Sequence, residues 1–216
     1  PVGPGDIVAA HAGGESMAAV DDFLHRQAFQ QTAEWRRGVA PDLAVAVNLP
    51  AARLVRTEFV EHFLGDLLSA GLDADAVSVE IEENALMEAV DAIAAGIASL
   101  NDRGVRLVAS EFGAGFSSLR YLGRLALLGL KLAPVLVREV EPGAGVGERT
   151  IAAIAAAARE FGLELYASGV ETPEQLALLR SCGFSEADGP VFSDAVPARE
   201  VEGLLRLAPF ASVVGV

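Results

Sequence analysis

"VRLVASEFGAGFSSLRYL", residues 105–122, decides the reading of the fold: an apolar run, a polar pair, a glycine-rich loop, then an apolar spacing of helical type. Val105 to Ala109 reads as a buried strand, and Gly113 and Gly115 mark the turn out of it. A strand that passes through a short loop into a helix is the building unit of a parallel sheet.

Working outward, the same unit recurs. Strands are predicted in "LAVAVNL" from 43, "VSVEIE" from 77, "LLGLKLA" from 127, "LELYA" from 163 and a short run at 184–187. Helices are predicted between them. One runs from about Met17 to Arg37, with Val20, Phe23, Leu24, Ala28 and Trp35 inward. Another runs from Arg53 to Ala70, with Val60, Phe63, Leu64, Leu67 and Leu68 inward. A third, Asn84 to Arg103, spaces Leu86, Val90, Ile93, Ile97 and Leu100 by four and three residues. Further helices are expected from Glu148 to Phe161, behind the cap Thr172, Pro173, Gln175, and from Pro197. The tail "FASVVGV" from Phe210 is β-prone. The alternation makes this an α/β protein with a parallel sheet, and 216 residues suit one domain, 1–216. A (β/α) barrel and an open doubly wound sheet both fit, although a barrel needs about eight strands.

Charge narrows the function. A formal net charge of −14 repels phosphate backbones and anionic surfaces, so neither a nucleic-acid polymer nor a membrane is expected as a partner. No stretch approaches the roughly 20 apolar residues of a membrane span. The single cysteine, Cys182, excludes an internal disulfide and suits a reducing compartment, which gives a cytoplasmic expectation.

The strand ends are the polar positions. Asn48 ends the first strand, and Glu80, Glu82 and Glu83 end the second. Ser110 and Glu111 end the third, Ser168 and Glu171 follow the fifth, and Asp188 follows the last. Alternation puts Ser78, Glu80 and Glu82 on the face opposite Val77, Val79 and Ile81. Lys131 is the only lysine among 16 basic residues and lies in the apolar run "LALLGLKLAP", where a charge needs a partner; Glu80 or Glu111 is expected. Oxygen donors from several strands around one lysine would suit Mg²⁺ or Mn²⁺ and a phosphate ester. The competing reading is a structural ion pair between Glu80 and Lys131. The loops "GAGFSS" and "GAGVGE" complete neither a dinucleotide fingerprint nor a P-loop. His11, His25 and His62 have no metal spacing and read as surface or packing residues.

In this order and spacing the segments "LAVAVNLP", "VSVEIEENAL", "ASEFGAGFSSLRYL", "LLGLKLA", "ASGVETPEQLALL" and "DGPVFSDAVP" resemble the EAL domain, a family of cyclic-di-GMP phosphodiesterases, from about Pro4 to Leu205. The resemblance implies a TIM-like (β/α) barrel, expected here to be incomplete. The strand carrying the glutamate-alanine-leucine motif and a ligand arginine would lie upstream of Pro4, so the first strands are missing and the domain is N-terminally truncated relative to the family. It further implies Asn48 and Glu80 as metal ligands, Glu83 as the anchor of a mobile loop, Lys131 and Glu171 as catalytic residues, and Glu111 and Asp188 as ligand-binding positions. The family has two aspartates where Ser110 and Glu111 stand, a glutamate at Ser168, a glutamine at Asp188 and an aspartate at Ala133. Those departures make the site degenerate, with Lys131, Glu171, Asn48 and Glu80 vestigial. No cofactor is then expected, Mg²⁺ or Mn²⁺ being what a vestigial site would take. Three readings follow: first a non-hydrolysing interaction or regulatory module that docks a protein partner or a second copy, then a cyclic-di-GMP receptor, then a metal-dependent phosphodiesterase.

Overall fold

The computed structural model describes residues 15–115, 121–140 and 145–207. Six strands are joined by helices at every connection but one among the described residues. In chain order they are α1 (Glu15–Gly38), β1 (Val45–Asn48), α2 (Thr57–Ser69), β2 (Val77–Glu82), α3 (Glu83–Asp102), β3 (Arg106–Phe112), β4 (Gly129–Leu132), α4 (Pro134–Arg138), α5 (Val146–Glu160), β5 (Glu164–Ala167), α6 (Pro173–Ser181), β6 (Glu186–Ala187) and α7 (Ala198–Leu207). Between β3 and β4 the helix expected after the glycine-rich loop is not found among the described residues, whose path over residues 121–128 is turn and coil. The strands form one sheet in the order β1-β2-β3-β4-β5-β6, and every neighbouring pair is parallel.

That order settles the choice between the two layouts. A doubly wound sheet reverses direction at a switch point so that helices cover both faces. Here each crossover steps one strand further the same way, and right-handed crossovers then place all helices on one side. The other side curls into a concave interior. The architecture is an incomplete (β/α) barrel, with β1 and β6 as edges among the described residues.

Side-chain alternation divides the two sides. Val77, Val79 and Ile81 of β2 are fully buried beneath the helices, while Ser78, Glu80 and Glu82 face the interior and are more accessible. On α3, Leu86, Ile93, Ile97 and Leu100 are buried as their spacing predicts. Helix α6 has the predicted capping box: the Gln175 N–H donates to Thr172 Oγ1 at 3.2 Å, and the Thr172 N–H donates to Gln175 Oε1 at 3.1 Å.

The inward face of α1 differs from expectation. Phe23 and Leu24 are each 55% exposed, and the buried stripe is His25, Phe29, Thr32 and Ala33. The Phe29 and Phe63 rings meet edge-to-face at 5.3 Å, and His25 lies edge-on to Phe63 at 5.5 Å. Aromatic geometry with α2 therefore sets the rotation of α1, and a hydrophobicity count misses a stripe containing histidine and threonine. Leu68 on α2 is likewise exposed rather than inward. The short helix α4, opened by Pro134, has no counterpart in the sequence reading, and the tail from Phe210 lies outside the described residues.

Candidate active site

The interior is polar in two layers. In the lower one the Arg106 guanidinium of β3 donates to Tyr166 Oη at 3.0 Å and lies 3.4 Å from Glu164 and 3.3 Å from Glu186. Tyr166 in turn donates to Glu164. Gly129 on β4 makes room for that ring: a Cβ there would lie 2.5 Å from Tyr166 and 2.8 Å from the Glu164 carbonyl. Burial and the neighbouring Glu164 carboxylate push the Tyr166 hydroxyl above its usual range.

The upper layer centres on Lys131. Its ammonium donates to Glu80 Oε1 at 2.8 Å and is 2.6 Å from Asp188 Oδ2. Asp188 is oriented by its other oxygen, which accepts from Ser168 Oγ at 2.8 Å and from the Gly169 N–H at 3.3 Å. Burial alone would lower the Lys131 pKa, but the Glu80 and Asp188 carboxylates outweigh it and hold the group above the ordinary lysine value. A cavity of about 200 Å³ lies beside these groups, bounded by Ala46, Ser78, Arg106, Lys131, Tyr166 and Asp188 among others.

At the mouth, Asn48 pairs in register with Glu80 across β1 and β2. A second cavity of about 340 Å³ there is lined by Asp21, Asn48, Glu80 and Glu82. Asp21 was not singled out from the sequence. His25, read from the sequence as a surface or packing residue, donates its ring N–H from Nε2 to the Asn48 carbonyl oxygen at 3.0 Å. Their helical offset of four places both on one side of α1, which is the signal that would have found them.

The polar pair Ser110–Glu111 sits on a bulge. Ala109 pairs with Leu130 and Phe112 with Leu132, so two residues of β3 stand opposite Lys131 alone. Glu111 has φ 55°, the one left-handed non-glycine among the described residues. Glu111 is exposed, and Lys131 pairs with Glu80 and Asp188 rather than with Glu111. Ser110 is buried. Glu171 is exposed on the turn into α6, and its N–H donates to Gln175 Oε1 at 2.8 Å. Glu83 opens α3 and is buried; Oε2 accepts from the Gly113 N–H at 3.0 Å and Oε1 from Tyr121 Oη at 3.4 Å, so one carboxylate holds both sides of the segment between them. Burial and that negative charge push the Tyr121 hydroxyl well up.

These residues do not fit a divalent cation as they stand. Magnesium demands near-octahedral oxygen ligation at about 2.0–2.1 Å. Glu80 and Asp188 are engaged by Lys131, Ser110 and Ser168 are uncharged, and Glu111 is exposed. Among the described residues no group of three or more His, Cys, Asp or Glu side chains is arranged to hold a metal ion. No described helix is long and apolar enough to cross a membrane.

Comparison with known proteins agrees with the geometry of the barrel. The chain is 32% identical over 209 residues to the cyclic di-GMP phosphodiesterase NbdA of Pseudomonas aeruginosa, an alignment that covers 97% of this chain and 27% of that protein. The chain thus spans about a quarter of that relative's length. The EAL domain of Mycobacterium smegmatis DcpA superposes with a TM-score of 0.80 at 29% identity, over 87% of this chain and 84% of that one. BlrP1 of Klebsiella pneumoniae, solved with manganese and cyclic di-GMP, superposes with a TM-score of 0.78 at 28% identity, over 88% of this chain and 48% of that one. The EAL domain family model matches residues 2–195, and on that span, with this sheet order and these strand ends, the chain belongs to the EAL domain family.

Proposed function

We propose that the chain is a non-hydrolysing EAL domain that serves as an interaction or regulatory module in cyclic-di-GMP-type signalling, in the reducing cytoplasm that its lone cysteine suits. One observation carries the reading: Glu80 and Asp188, the carboxylates at the centre of the upper layer, are both paired with Lys131. A two-metal hydrolytic site needs acidic oxygens free to bridge ions about 3.5–4 Å apart. Ser110 and Ser168 supply none, and Glu111 stands exposed on a left-handed residue of the bulge.

Metal activation contributes several kcal/mol, and losing about 4 kcal/mol slows a reaction roughly a thousandfold. The test incubates the purified protein with cyclic di-GMP and Mn²⁺ and follows the linear dinucleotide. Turnover at least a thousandfold below about 1 s⁻¹, the low end for ordinary enzymes, is expected. Turnover near that value would overturn the reading. A parallel titration without metal separates the module from a receptor: saturable binding without cleavage would make the domain a cyclic-di-GMP receptor.

A further inference from the structure

We infer that the Lys131 ammonium is the resident cation of this site, a tethered charge that occupies the carboxylates a divalent ion would need and so excludes it. The inference rests on the non-hydrolysing reading and says what stands in the metal's place.

The arrangement is that of a cation site whose cation is a side chain. Two carboxylates from different strands, Glu80 of β2 and Asp188 after β6, approach one ammonium at 2.8 and 2.6 Å. Lys131 and Glu80 are mostly withdrawn from solvent, their side chains 18% and 13% exposed. Asp188 is more open, but the Ser168 hydroxyl and the Gly169 N–H fix its carboxylate so that Oδ2 faces the lysine. Asn48 adds a further oxygen donor in register beside Glu80. A divalent ion drawing on both carboxylates would meet the ammonium already 2.8 and 2.6 Å from them, and that tethered charge would repel it. Without the ammonium, the same two half-enclosed carboxylates would repel each other and attract a cation.

Asp188 is the residue that completes the device. Ser168 brings no charge from β5, yet its hydroxyl holds a carboxylate that comes from the next strand. Beside Glu80, the second acid at Lys131 comes from Asp188, a position where the family pattern has a glutamine.

The experiment titrates Mn²⁺ into the full chain and reads free ion by electron paramagnetic resonance. Three proteins are compared: wild type, Lys131→Ala, and Lys131→Ala combined with Glu80→Gln. Lys131→Ala is expected to bind one Mn²⁺ at least tenfold more tightly than wild type, and to melt at a higher temperature when Mn²⁺ is added. The double variant should lose that gain. Should Lys131→Ala fail to fold, Lys131→Met keeps the apolar stem and is titrated in the same way. Wild type binding Mn²⁺ as tightly as the lysine variants, or variants binding no better than wild type, would overturn the inference. Cyclic-di-GMP turnover by wild type would instead overturn the reading beneath it. An inactive wild type with variants that capture no Mn²⁺ would overturn the resident cation alone.

Discussion

Glu111 shows what a single backbone angle does to a site. A left-handed conformation costs an L-residue roughly 1–2 kcal/mol, and only glycine, with asparagine and aspartate at times, adopts it readily. At φ 55° on the β3 bulge, Glu111 bears that cost at an exposed position. The aspartate of the family pattern tolerates the angle through its short polar side chain, whereas glutamate has one methylene too many for the same local hydrogen bond. Glu111→Asn should therefore raise the stability of the protein by up to about 1 kcal/mol, read as a higher urea midpoint with unchanged slope. A lower midpoint would mean that the carboxylate makes a stabilising interaction in solution. His25 teaches a related lesson: a lone histidine on an apolar helix resembles a packing residue, and it is one, yet it also ties α1 to the end of β1 at Asn48.

Packing between elements reverses an ordinary rule at Gly96. Glycine inside a helix is normally worth replacing, since alanine gains about 1 kcal/mol of helix propensity. In α3 a Cβ at this position would lie 2.2 Å from the Leu54 carbonyl oxygen, in the short 3₁₀ turn Ala51–Val55. That atom is backbone and cannot rotate away. Gly96→Ala is expected to destabilise the protein by about 1–3 kcal/mol, the usual cost of overpacking, with a lower melting temperature as the readout. A rise would show that α3 slides away from the turn at little cost. The helical period of α3 was plain in the sequence, but its one close approach was not, because periodicity reports which face is buried and says nothing of how near the neighbouring backbone comes.

Across the whole molecule, the sheet ends at β1 and β6 without closing among the described residues. Edge strands present unpaired N–H and C=O groups, and such edges are a template for another strand. We expect them to be covered by a second copy of the chain, a protein partner or a further segment, in keeping with a docking module. Hydrogen exchange together with light scattering checks this: slow amides along Val45–Asn48 and Glu186–Ala187 are expected in the covered state. A monodisperse monomer whose edge amides exchange freely would count against it. The interior behind those edges is lined in part by Ala46 and Ser78, small side chains that leave the cavity where a filled barrel would stack larger ones.

Sequence by itself determined the six strands, the helices outside the β3–β4 connection other than the short α4, the two faces of β2 and the capping of α6, because each depends on a period or on neighbours within four residues. It also determined that Lys131 needs a carboxylate, since a charge inside an apolar run has no other way to be stable. Pattern alone left barrel and open sheet both standing, and the family resemblance pointed to the barrel; the tertiary structure shows why, because the answer lies in the order of strands that are distant along the chain. The same holds for Lys131's partners. Glu80 and Glu111 were both in reach on paper, but Glu111 falls in the β3 bulge and is exposed, and the curl of the sheet brings Asp188, 57 residues on from Lys131 by position, to within 2.6 Å. Ion pairs across a barrel depend on curvature, and curvature is a property of the assembled sheet rather than of any stretch within it.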